Sequence, residues 1–213
     1  MFNEYYRTMF DDTAKHYEQK SNDYDLVLNS LVGNVYFHLP DLIKEYDIPK
    51  DAKIIDFSTG TGFFANALHD AGYTNITGCD GAQAMIDVAK SKAIFVDTFK
   101  HFVGEDKLNE KYYGEFTLAF CGASFIKNHV PALQGLNEMI SLTKKGGILS
   151  IYTRQSSYDD EEYGLQTAID ERVGKGELRL MKSLTVPIFR ELDGQVIKVI
   201  GTLKEQLGTF KFY

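Results

Sequence analysis

The chain of 213 residues has no Trp, only two Cys and only four Pro, and each shortage excludes something. Two cysteines, Cys79 and Cys121, cannot build a disulfide framework or a metal cage by themselves. The prolines are scattered, and there is no Gly- or Ser-rich linker and no internal repeat. No apolar run approaches the ~20 residues that span a bilayer. Cationic side chains are also scarce, 23 Lys+Arg against 30 Asp+Glu, for a net charge of −7. Nucleic-acid binders concentrate Lys and Arg on one face, so neither nucleic acid nor membrane is an expected partner. The N-terminus reads as neither a signal peptide nor an Arg-rich, acid-poor transit peptide. The expectation is a cytoplasmic protein with reduced cysteines, monomeric or homodimeric.

The abundant residues are apolar, at 44% of the chain, and include 13 Tyr and 15 Phe. This length fits one domain that buries roughly 70% of its unfolded surface. The aromatic count exceeds what a core of that size requires, and it is dense in residues 1–46, including Phe2, Tyr5, Tyr6, Phe10, Tyr17 and Tyr24.

Residues 1–47 read as helical, with apolar positions recurring through Leu26, Val27, Leu31 and Val35, and with Pro40 dividing two helices. From Lys53 onward short β-branched runs alternate with amphipathic stretches. Strands are expected at Ile54–Phe57, Thr74–Asp80, Lys100–Val103, Phe116–Cys121 and Ile148–Tyr152, separated by helices. Gly72 fits a helix C-terminus, and Lys144-Lys145-Gly146-Gly147 reads as a helix stop. That alternation calls for βαβ units and a parallel sheet. After a helix near 159–174, two strand-like runs meet at Asp193-Gly194, a hairpin signal. The expected architecture is a three-layer α/β sandwich. Five parallel strands are followed by an antiparallel C-terminal hairpin.

Asp56-Phe57-Ser58-Thr59-Gly60-Thr61-Gly62 stands where a strand turns into a helix, and Asp80 ends the next strand about 20 residues on. A carboxylate there can accept both hydroxyls of an adenosine ribose. Two ligands fit. Gly60-x-Gly62-x-x-Ala65 satisfies the relaxed dinucleotide fingerprint, which favours NAD(P). Asp56, just before the glycines, would repel a diphosphate and suits a cationic ligand with an ammonium group. The competing reading of Asp56 is a loop-capping acid.

These residues resemble the first motif of class I S-adenosylmethionine (SAM)-dependent methyltransferases, Asp/Glu-x-Gly-x-Gly-x-Gly, at Asp56, Gly60 and Gly62, with Ser58 in place of the first glycine. The second motif is matched by Gly78, Asp80 and Met85, while Gly81 replaces an aliphatic adenine contact and Ala82 replaces the helix-capping Ser. The resemblance implies an acid after the third strand for the adenine amino group, Asp106 in preference to Glu105. It also implies the sheet order 3-2-1-4-5-7-6, N-terminal lid helices over residues 1–48 and a core over 52–213. Cys121, ending the fourth strand, counts among the implied cofactor contacts. Ala14-x-x-Tyr17 has the spacing that in this family brings a tyrosine near the methionine end of the cofactor. Within the superfamily, Gly122–Pro131 and Thr153-Arg154 look similar to the small methyltransferase-like group of the Williams–Beuren region protein.

Methyl transfer from a sulfonium mainly needs nucleophile and methyl carbon held in line. A general base is needed only for acceptors that carry a proton to be lost. His129, in the loop after the fourth strand, is the candidate base; its competing role is an ordinary loop histidine. Arg154 could bind an acceptor carboxylate or pair with the acids of Asp159–Glu162. Tyr24, Phe125 and Tyr158 complete the candidate acceptor contacts, each weighed against simple packing, and Tyr163 could also face the cavity. No metal is expected. The expected function is SAM-dependent methylation of a small-molecule acceptor, giving S-adenosylhomocysteine. The alternatives are an NAD-dependent oxidoreductase and a SAM-binding scaffold without turnover.

Overall fold

The computed structural model describes residues 35–189 and 192–202 together with Tyr17, Tyr24 and Asp25. Most of the expected lid, including Phe2, Tyr5, Tyr6 and Phe10, lies outside the described residues. Helix α1 (Val35–Lys44) leads into β1 (Ile54–Phe57), α2 (Phe63–Asp70), β2 (Ile76–Asp80), α3 (Gln83–Ser91) and β3 (Asp97–Lys100). There follow a 3₁₀ turn at Glu110–Tyr112, β4 (Phe116–Gly122), α4 (Ala132–Leu142), β5 (Thr143–Arg154), α5 (Gln155–Tyr158) and α6 (Leu165–Gly174). Strands β6 (Leu178–Phe189) and β7 (Leu192–Thr202) complete the order.

β1 to β5 pair in parallel. β7 runs antiparallel to both β5 and β6, so the sheet reads β3-β2-β1-β4-β5-β7-β6. β1 is central because all four of its residues are buried, as a strand covered on both faces requires. Ile54 faces a cluster with Leu39, Ile43, Phe64 and Leu68 from α1 and α2. Ile55 and Phe57 face the opposite cluster, with Leu136 and Met139 of α4 and Ile169 of α6. Helices thus cover both faces, and the loops that matter for ligands emerge at the strand ends.

Four expectations need correction. Pro40 lies inside α1 and does not divide two helices. Burying Leu39 and Ile43 stabilises by about 3–6 kcal/mol, enough to offset the ~3 kcal/mol that an interior proline costs. The third strand ends at Lys100, because Asp106 Oδ2 accepts the Phe102 amide at 2.6 Å and turns the chain away from the sheet. The helix expected near 159–174 begins only at Leu165, where Gly164 at φ 75° is its N-cap, and the short α5 ends before residue 159. The hairpin exists, but Phe189 pairs with Leu192 and Pro187 with Gly194. Asp193-Gly194 therefore lies within β7, since ten paired positions override a local turn preference.

Cys79 and Cys121 are buried free thiols. Phe57 pairs with Cys79, and Asp56 with Phe120, so β1 separates them. Among the described residues no helix is long and apolar enough to cross a membrane, and no group of three His, Cys, Asp or Glu side chains could hold a metal ion.

One core position is testable. The Tyr152 hydroxyl is buried without a hydrogen-bond partner among the described residues, while its ring packs 5.8 Å from that of Phe64. Removing a buried unsatisfied hydroxyl while keeping the ring should be neutral or favourable, up to about 1 kcal/mol. Tyr152→Phe should therefore hold or raise the thermal midpoint, measured by circular dichroism; a lowered midpoint would mean the hydroxyl has a partner.

Candidate functional site

The strand order reverses between β1, which continues to β2, and β4, which continues to β5. Connections leave a reversing pair in opposite directions, so a crevice opens at the carboxyl ends. Here it is a cleft of about 750 Å³, open mouth included.

The loop after β1 forms one wall. Ser58, Gly60 and Gly62 have φ of 60°, 56° and 82°, the left-handed region that glycine enters freely. Ser58 enters it at a cost of roughly 1–2 kcal/mol, which explains why a glycine is the usual residue in the motif it resembles. A Cβ on Gly62 would come within 2.7 Å of the Phe95 ring, so that position also demands a close approach. The turn is held by the Thr59 amide donating to the Cys79 carbonyl at 2.8 Å and the Gly62 amide donating to Thr59 at 2.9 Å.

Asp56 stands behind this loop. It is 1% exposed, does not line the cleft, and its Oδ2 accepts the Thr59 hydroxyl at 2.6 Å. Burial pushes its carboxyl from 3.8 up to about 8, against the Thr59 hydrogen bond, which pulls it down. The expectation that Asp56 meets a ligand ammonium directly is therefore corrected. In this structure it braces the loop, the competing role weighed for it.

The second wall comes from the end of β2. Asp80 Oδ2 accepts the Gly60 amide at 2.8 Å, and Oδ1 accepts the Ala82 amide at 2.9 Å. One carboxylate thus joins the loop after β1 to the start of α3, where no side chain caps the helix. A carboxylate oxygen can accept more than one hydrogen bond, so these contacts also orient the group within the cleft. Next to it a Cβ on Gly81 would come 2.8 Å from the Phe102 ring, so glycine here admits an aromatic face from the loop after β3. Met85, Ala82 and Val103 line the same end.

His101 also lines the cleft. Its amide donates to the Asp80 carbonyl at 2.8 Å, and its Nε2 lies 2.6 Å from Glu138 Oε2. Glu138 Oε1 accepts the Gly104 amide at 3.0 Å. This α4 carboxylate thereby fixes the loop after β3 against the opposite layer.

The mouth is built by the loop after β4 and the N-terminal segment. Gly122, Ser124, His129 and Val130 line it together with Tyr17 and Tyr24. The Tyr17 hydroxyl lies 3.4 Å from His129 Nδ1. The Tyr17 ring meets Tyr24 at 5.7 Å and His129 at 5.6 Å, both edge to face. The Tyr163 hydroxyl donates to the Val130 carbonyl at 2.7 Å, so Tyr163 steadies this loop instead of facing the cavity.

Of the site residues read from the sequence, Tyr17, Tyr24, Ser58, Gly60, Asp80, Gly81, Met85 and His129 come together around the cleft. The others do not line it. Phe125, Cys121 and Tyr158 are packed in the core cluster, where their apolar area is buried. Gly62 serves the turn. Glu105 and Asp106 are exposed, and Asp106 is engaged with the Phe102 amide. Arg154 ends β5 but is not among the cleft residues. Sequence reasoning missed His101, Phe102, Thr59 and Ser124. His101 and Phe102 were hidden because their apolar and aromatic neighbours read as strand. The signal available was their position just past β3, at the ligand-bearing edge.

Comparison with known proteins agrees with this layout. Residues 54–147, fewer than half of the chain, match a family model described as a methyltransferase domain. No curated protein matches the sequence. Among solved structures, an assigned S-adenosyl-L-methionine-dependent methyltransferase of Methanococcus maripaludis has a TM-score of 0.65 and 13% identity over 89% of this chain and 95% of that one. A SAM-dependent methyltransferase from Aquifex aeolicus has a TM-score of 0.61 and 16% identity over 87% of this chain and 98% of that one. A chain from the complex of the Haloferax volcanii Trm112 methyltransferase activator with its assigned methyltransferase has a TM-score of 0.65 and 11% identity, covering 87% and 96%. At these identities the likeness is one of fold: the chain has the Rossmann-like fold of class I methyltransferases.

The buried acid gives a pH prediction. The native chain holds the Asp56 proton to about pH 8, while the unfolded chain loses it near 3.8. The stability Asp56 contributes is therefore complete below about pH 3.8 and is lost as pH rises through about 8. Asp56→Asn cannot ionise, so its thermal midpoint should gain on that of the parent between pH 4 and 8. A midpoint difference that stays constant over that range would show that Asp56 is ionised in the fold.

Proposed function

We propose that the protein is a SAM-dependent methyltransferase acting on a small-molecule acceptor. The observation that carries this reading is the Asp80 carboxylate, set at the end of β2 in the cleft and fastened to the Gly60 and Ala82 amides. A carboxylate so held presents fixed acceptors to the two hydroxyls of a ribose. Phe102, Met85 and Val103 supply an apolar slot for the attached base, and the backbone from Ser58 to Gly60 faces the methionine portion. Asp106, engaged with Phe102, acts on the base only by shaping that slot.

SAM would supply a methyl group on a leaving sulfide, and the protein's part is placement. Tyr17, Tyr24 and His129 form the acceptor side of the cleft. His129 Nε2 is turned into the protein, shielded from solvent, while Nδ1 faces the Tyr17 hydroxyl. If His129 takes a proton from the acceptor, Nδ1 is the atom that receives it, with the Tyr17 hydroxyl beside it. The finer likeness to the Williams–Beuren group rests on Gly122–Pro131 and Thr153-Arg154, two segments joined by the Thr153 hydroxyl donating to the Phe125 carbonyl.

Two measurements test the proposal. Calorimetry should show binding of SAM and S-adenosylhomocysteine, whereas NADH binding without either would favour an oxidoreductase. Label transferred from SAM into a metabolite extract would establish turnover; binding with no labelled product across a broad extract would favour a scaffold. Within this reading, Asp80→Ala should weaken SAM and S-adenosylhomocysteine together. Two hydrogen bonds to a charged group contribute roughly 2–4 kcal/mol, equivalent to about 30- to 1000-fold in affinity. Unchanged affinity in that variant would remove Asp80 from the site.

A further inference from the structure

Three residues outside the cleft lining tie its roof to its floor. Thr61, fully buried between Gly60 and Gly62, donates its hydroxyl to Asp25 Oδ1 at 2.5 Å. Asp25 Oδ2 meets Lys92 Nζ at 2.5 Å. Lys92 caps the C-terminal end of α3, the helix whose first turn lines the cleft through Ala82 and Met85. One carboxylate therefore spans the glycine loop and α3.

Tyr24 immediately precedes Asp25, and its ring lies over the same loop, with Cε1 3.6 Å from where a Cβ on Gly60 would be. Tyr24 then meets Tyr17 edge to face, and Tyr17 meets His129 in the same way. The contacts run without a break from Lys92 and Thr61, through Asp25, to the rings that close the cleft.

We infer that Asp25 is a positioning residue. It pins Tyr24 over Gly60 and, through Tyr24, holds Tyr17 against His129, so that the roof of the cleft is set by one carboxylate. The hydrogen bond carries more of this than the ion pair. Thr61 is dry, so losing its acceptor leaves a buried hydroxyl unsatisfied. Lys92 and Asp25 are partly exposed, 21% and 35%, and their attraction is screened by solvent. Asn at position 25 keeps an oxygen for Thr61 and should do most of the work of Asp. Lys92→Met should matter little. The inference rests on the reading of the cleft as a SAM site only for its choice of probe, S-adenosylhomocysteine.

The test is calorimetric affinity for S-adenosylhomocysteine in five single variants and one combination. Asp25→Ala and Thr61→Val should each lose about tenfold or more. Asp25→Asn and Lys92→Met should each stay within about fivefold of the parent. Because Asp25 acts through Tyr24, adding Asp25→Ala to Tyr24→Leu should cost little beyond Tyr24→Leu alone. A side chain that merely supports the fold would instead give additive losses. Additive losses, or an Asp25→Ala affinity equal to that of the parent, would overturn the inference. A parent that binds no S-adenosylhomocysteine would overturn the cofactor reading instead. The positioning by Asp25 is then read by hydrogen exchange without ligand: faster exchange of the Tyr24 and Asp25 amides in Thr61→Val supports it, and unchanged exchange overturns it.

Discussion

A single carboxylate at the end of β2 governs the geometry of the cleft. Asp80 accepts amides from two different loops, and each of those amides would otherwise be an unpaired donor at a strand or helix end. The loop after β1 turns through alternate left-handed residues and gains no regular backbone ladder of its own. The start of α3 has no capping side chain. Both are irregular segments that need a partner, and Asp80 serves them together while still pointing into the cleft.

The same loop is held from behind by burial. Asp56 lies in the dry centre of the sheet, where an ionised carboxylate is disfavoured, and its link to Thr59 fixes the turn from below while Asp80 fixes it from above. Ser58 accepts a left-handed conformation between these two restraints. Strain of this size persists only where the surroundings over-determine it, and here two acids supply the determination.

The aromatic residues divide by layer. Phe99 and Tyr112 stack at 4.4 Å beside β3, and the Tyr112 hydroxyl donates to Asp97, so this pair closes the sheet edge. Phe64 and Tyr152 fill the α1 side of the core. Tyr17, Tyr24 and Phe102 line the cleft, and Phe63 and Phe64 reach it from the core. Tyr and Phe offer large contact area with few rotors to freeze, which suits a wall that must meet a flat base and an acceptor with little reorganisation.

Residue type and spacing alone carried the alternation of strand and helix, because β-branched runs bounded by glycine have only one periodicity that buries them. They also determined the loop at Ser58–Gly62 and the acid at Asp80, since backbone freedom and a carboxylate at a strand end are properties of residue type and spacing. Tertiary structure decided what spacing cannot express. Asp56 reads alike as a ligand acid or a bracing acid until its burial under the loop is known. Cys121, Phe125 and Tyr158 stand near strand ends in sequence, yet the opposite helical layer claims their apolar area. Pro40 reads as a break until the core that holds α1 around it is seen. His101 joins the site through Glu138, and Asp25 joins it through Thr61 and Lys92, in each case across more than thirty residues. Such pairings follow from how the layers close, and no local pattern carries them.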